Sequence, residues 1–114
     1  MHESSLAKQV LAAVLARAAK ERAVRVRIVR GWLAETEALS PESIGFHFAA
    51  LAVGTIAEGA ELALDLRHVE ARCVACEAIY RPEHHVLLCP SCGSMDGELL
   101  GRTGLMIETL EVDA

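Results

Sequence analysis

Two cysteine pairs constrain this chain more than any other feature: Cys73-Val74-Ala75-Cys76 and, twelve residues on, Cys89-Pro90-Ser91-Cys92-Gly93. Two cysteines separated by two residues on a tight loop can both turn inward and present thiolates to one ion. Two such loops close a tetrahedron, the geometry that Zn(II) accepts at about 2.3 Å per sulfur. Gly93 stands where the second loop would need an unusual backbone angle, and its amide could donate to a thiolate. Local disulfides, a redox-active dithiol, a rubredoxin-like iron site and an iron–sulfur cluster use related spacings. The doubled pair favours zinc, as does a start, Met1-His2-Glu3-Ser4-Ser5, without the basic residues and cleavage site of a secretory signal. Four thiolates leave no coordination position for water. The expected ion is therefore a structural Zn(II) held by Cys73, Cys76, Cys89 and Cys92.

Around this module the hydrophobic pattern changes period several times. Leu6, Val10 and Val14 recur every fourth residue, widened by Leu11 and Ala18, which predicts a helix from Ser4 or Ser5 to about Glu21. In Val24-Arg25-Val26-Arg27-Ile28-Val29-Arg30 apolar residues alternate with arginine, as in a strand with one buried and one solvated face. Gly31-Trp32-Leu33-Ala34 could extend it past a bulge. Ser40-Pro41-Glu42-Ser43 is a helix start, with serine at N-cap, proline in the first turn and an acid at the positive end of the dipole. That second helix would carry Ile44, Phe46, Phe48 and Leu51 to about Val53, and Gly54 and Gly59 bracket a turn. Leu62–Arg67 reads as a second strand, and Leu105–Val112 as a third whose alternation slips near Glu108–Thr109. The order is helix, strand, helix, strand, cysteine module, strand: an α+β domain of residues 1–70 and 99–114, interrupted by a metal module over residues 71–98.

The charge balance narrows the partners. Eleven basic against sixteen acidic residues give a net charge of −5, which speaks against nucleic acid or an anionic membrane. The module's own Arg72, Arg81 and Arg102 are matched by Glu70, Glu77, Glu83 and Glu98. No apolar run approaches the ~20 residues of a membrane span, so a cytoplasmic protein is expected. Nucleophile–base pairs, a phosphate-cradling glycine loop and a zinc with an open position are all lacking, so no enzyme is expected.

Met1-His2-Glu3 is the second informative feature. An α-amine, a deprotonated amide nitrogen and an imidazole two residues in form a compact nitrogen donor set. Ni(II) and Cu(II) favour such tetragonal coordination and zinc has no preference for it. Taken alone, a histidine after an initiator is usually only a histidine. Of the others, His47 is expected at the surface of the second helix and His68 at a solvated strand edge. His84 and His85 sit on the arm between the cysteine pairs, either as tip residues or as ligands for a nearby metal.

The two features together, at these places in the chain, resemble the HypA/HybF family of nickel metallochaperones. The resemblance runs from Met1-His2-Glu3-Ser4-Ser5-Leu6 through Pro41-Glu42-Ser43-Ile44-Gly45-Phe46-His47-Phe48 and Gly54-Thr55-Ile56-Ala57-Glu58-Gly59-Ala60-Glu61-Leu62. It continues to the cysteine pairs and Gly104-Leu105-Met106-Ile107. It implies two helices on a small three-stranded sheet, with the four-cysteine zinc-ribbon-like domain inserted. It further implies Ni(II) as transient cargo, with His2 as principal ligand and Met1 and Glu3 supplying backbone donors. A zinc-domain histidine, His84 or His85, would be a further candidate. The partners implied are a HypB-type GTPase and the large subunit of [NiFe]-hydrogenase, with urease accessory proteins for some members. The alternative reading is a zinc-ribbon adaptor that binds only protein partners.

Overall fold

The computed structural model describes residues 3–37, 39–82 and 86–114. Its elements are α1 (Glu3–Lys20), β1 (Arg25–Ala34), a short 3-10 turn η1 (Glu35–Glu37), α2 (Pro41–Ala52), β2 (Glu61–Arg67), β3 (Glu70–Cys73), β4 (Ile79–Tyr80), β5 (Gly97–Leu100) and β6 (Leu105–Asp113). They form two three-stranded sheets, ordered β2-β1-β6 and β4-β3-β5. The chain divides into two compact units. One draws on Met1–Trp32, Leu39–Asp65 and Met106–Ala114, the other on Leu33–Ala38 and Leu66–Leu105. The architecture is α+β, with two helices and small sheets as expected.

In the first unit α1 and α2 pack on each other. Ala7, Val10, Val14 and Ala18 form the buried stripe of α1, one residue in about every four. Ser40 caps α2 through its Oγ, which accepts from the Ser43 amide at 3.1 Å, and Pro41 opens the helix where no amide partner is needed. The buried face of α2 is Ile44, Phe48 and Ala52, four residues apart. Phe46 is not on it. It is 74% exposed, because two residues along a helix is more than half a turn from Ile44. Its ring meets His47 edge-on at 5.7 Å, and His47 is half-buried rather than at the surface.

The alternation of β1 also slips. Val26 and Val29 are fully buried, Ile28 only partly, and Val24 is exposed ahead of the strand. The strand does not stop at Arg30. A Cβ on Gly31 would overlap the Met106 carbonyl oxygen of β6, so glycine lets the two backbones cross closely there. The arginines lie on the solvated face, where Arg30 pairs with Glu111 and Arg27 with Asp113 at 3.6 Å. In β6 the guanidinium of Arg17 donates to two successive carbonyls, Ile107 at 3.4 Å and Glu108 at 3.3 Å. The alternation of β6 breaks at Glu108 and Thr109, both exposed between half-buried Ile107 and Leu110, which is the slip expected there.

The second unit has a sheet that hydrophobic periodicity did not announce. β3 is its centre, antiparallel to both neighbours, with Ala71 opposite Tyr80 on one side and Leu99 on the other. Its strands are two to four residues long, too short to show a period. Its core is Ala71, Cys73, Tyr80 and Cys89, with Ala78 and Leu87 against it.

A four-cysteine metal centre

Each cysteine pair sits on a turn of the same construction. In the first, the Cys73 amide donates to the Ala78 carbonyl and the Glu77 amide to the Cys73 carbonyl, both at 2.9 Å. In the second, the Cys89 amide donates to Ser94 and the Gly93 amide to Cys89, again at 2.9 Å. The fourth residue after the leading cysteine takes left-handed backbone in both, Glu77 at φ 64° and Gly93 at φ 76°. This curl points both sulfurs of a pair to one side. β3 delivers Cys73 to the first turn, and Val74 fastens the turn by donating to Asp96 at 2.9 Å, just ahead of β5.

The four Sγ atoms lie within 4.8 Å of one another, with Cys73 and Cys92 3.5 Å apart and Cys76 and Cys89 3.6 Å apart. All four are free thiols, and these separations far exceed the ~2.05 Å of a disulfide. The leading cysteine of each pair is buried and the trailing one exposed. Their ionisation separates in the same way. The Cys76 amide, ahead of the opposing effect of burial, draws the Cys73 thiol below its ordinary range. The Cys92 amide, joined by that of Ser91, pulls Cys89 down to about 6. Cys76 is drawn down by the Ala78 amide, but Cys89 beside it, burial and the other two sulfurs outweigh this and push it up to about 12. At Cys92 the Ser94 amide likewise lowers the value, and Cys73 with burial raises it. Two thiolates so close suppress the ionisation of the other two. A bound cation removes that repulsion, and the donor set suits a soft-ligand tetrahedral ion with no open position.

Tyr80 closes the inner side. Burial, then the four sulfurs, push its phenol up, and its hydroxyl has no hydrogen-bond partner among the described residues. A Cβ on Gly97 would overlap that hydroxyl, so glycine is required on β5 for the ring to lie there. Sequence reading passed over Tyr80 and counted Glu77 only as a charge. A signal for Glu77 was present in the spacing, since it holds in the first turn the place that Gly93 holds in the second.

Of the residues expected to hold nickel, Glu3 is half-buried and opens α1 as the acid of its first turn. Met1 and His2 lie outside the described residues, and so do His84 and His85. His68 is exposed and hydrogen-bonds the Glu35 carboxylate through Nδ1. Among the described residues no helix is long and apolar enough to cross a membrane.

Comparison with known proteins connects these features. The family model described as hydrogenase/urease nickel incorporation, metallochaperone, HypA matches residues 1–112. The hydrogenase maturation factor HypA of Chlorobium phaeobacteroides is 35% identical over 113 residues, covering 99% of this chain and all of its own. That of Methylocella silvestris is 34% identical with the same coverage. In fold, the chain is similar to the solution structure of the Ni metallochaperone HypA from Helicobacter pylori, with a TM-score of 0.69 and 22% identity, covering 100% of this chain and 99% of that one.

Proposed function

Because this chain belongs to the HypA family of hydrogenase/urease nickel-incorporation metallochaperones, we propose that it carries Ni(II) at its N-terminus and delivers it during [NiFe]-hydrogenase maturation. The observation that carries this reading is the family match over residues 1–112, which includes Met1-His2-Glu3 as well as both cysteine pairs. The family is one of metallochaperones and maturation factors, and its role is to move a metal rather than to catalyse a reaction.

His2 is the principal nickel ligand, with the Met1 amine and the backbone nitrogens of His2 and Glu3 completing a nitrogen-rich set that suits the tetragonal preference of Ni(II). A carrier must hold its ion without burying it beyond recovery. A donor set at a chain terminus meets both demands, because losing one donor opens a position for the recipient's ligand. Cys73, Cys76, Cys89 and Cys92 hold a structural Zn(II), which supplies the small second unit with cohesion its side chains lack. The functional division is thus residues 1–70 with 99–114 for nickel and 71–98 for zinc. Delivery to the hydrogenase large subunit proceeds with a HypB-type GTPase, and urease accessory proteins are further partners of the same chemistry. The protein works in the cytoplasm, where thiols stay reduced.

Titration of Ni(II) into untagged, zinc-loaded protein tests the assignment. His2→Ala is expected to weaken binding by more than about tenfold while leaving zinc content unchanged. A tag ahead of Met1 should weaken binding too, by removing the amine. Equal nickel affinity in His2→Ala would refute the ligand, and nickel binding in neither protein would leave only a zinc-ribbon adaptor.

A further inference from the structure

We infer that η1 is a two-carboxylate clamp that ties together the chain segments leading into and out of the metal module, within the second unit. The observation is the division of labour between two acids either side of Thr36. The Glu35 carboxylate accepts from His68 Nδ1, on the segment between β2 and β3, and lies 3.9 Å from the Arg81 guanidinium just past β4. The Glu37 carboxylate accepts from the Gly104 amide at 3.0 Å, on the segment between β5 and β6. Beside it the Ala34 amide donates to the Gly104 carbonyl at 2.8 Å, so Gly104 is held through both of its backbone polar groups. One three-residue turn thus grips the chain before the first cysteine pair, between the pairs and after the second.

Gly104 takes left-handed backbone at φ 85°, a conformation open to glycine at no steric cost. It turns the outgoing chain so that its N–H meets a carboxylate. A charge-assisted bond of this kind is stronger than a neutral one. None of these ties passes through a cysteine sulfur. The ends of the module are therefore held by a frame separate from the metal, and the turns that carry the sulfurs can exchange or lose their ion while that frame persists.

Amide hydrogen exchange on the metal-loaded protein tests this, with the Val26 amide, bonded to Ile56 in the first unit, as internal reference. Glu37→Gln removes the charge but keeps an acceptor oxygen, and Glu37→Ala removes both. Gly104 exchange should accelerate by about tenfold or more in Glu37→Ala and by less in Glu37→Gln, with Val26 unchanged. For Glu35→Ala, which removes the acceptor, the imidazole nitrogen spectrum of His68 should lose the bias towards a protonated Nδ1 that the carboxylate imposes. After metal removal from the wild type, Gly104 should stay protected while the Cys73 and Cys89 amides lose protection. The clamp is overturned if Gly104 is indifferent to Glu37→Ala, or if Gly104 and Val26 accelerate together. It is equally overturned if His68 keeps its tautomer in Glu35→Ala, or if Gly104 loses protection with the cysteine amides on metal removal.

Discussion

Glu77 stands in left-handed backbone at φ 64°, where a side chain costs energy that glycine does not incur. Its counterpart Gly93 occupies the same place in the other cysteine turn at φ 76° without that cost. Glu77→Gly should therefore stabilise the metal-loaded protein by about 0.5–1 kcal/mol, the relief of steric strain exceeding the entropy lost by a more flexible unfolded chain. Gly93→Ala should cost a similar amount, and denaturant unfolding of the two variants measures both. The four metal-binding cysteines were legible as single residues, because metal coordination depends on side-chain type and local spacing. Tyr80 was not. Its burial depends on Gly97, seventeen positions away, leaving room for its hydroxyl.

At the scale of elements, both helices and the three longer strands were legible because each shows a period over six residues or more. Their ends agree with expectation to within four residues, and the extension of β1 over Gly31–Ala34 was anticipated. The second helix was read as carrying Ile44, Phe46 and Phe48 without a face for each, and helical rotation turns Phe46 outward. The end of β1 was blurred by Gly31, which reads as an interruption in the pattern but is where β6 passes too close for any side chain. Gly31→Ala should destabilise by about 2–3 kcal/mol, since the atom it meets belongs to backbone and cannot swing away. Thermal unfolding reports that loss. An unshifted midpoint would mean that β1 and β6 do not cross as closely as described.

Across the whole molecule the two units differ in what holds them. The first buries Val10, Val14, Val26, Val29, Ile44 and Phe48, a core that needs no metal. In the second, two of the four residues at the centre of its cluster, Cys73 and Cys89, are metal ligands. Stripping the metal with a chelator should therefore expose the amides of Cys73 and Cys89 to exchange and leave that of Val26 protected. Loss of protection at Val26 in parallel would show one cooperative unit instead. The sequence by itself determined the metal centre, the helices and the long strands, because a ligand spacing and a hydrophobic period are local properties of the chain. Only the tertiary structure decided which aromatic faces inward, that a second sheet exists, and that Glu35 and Glu37 meet His68 and Gly104. Contacts between residues 33 and 67 positions apart leave no periodic trace, and they become visible only when the chain has brought them together.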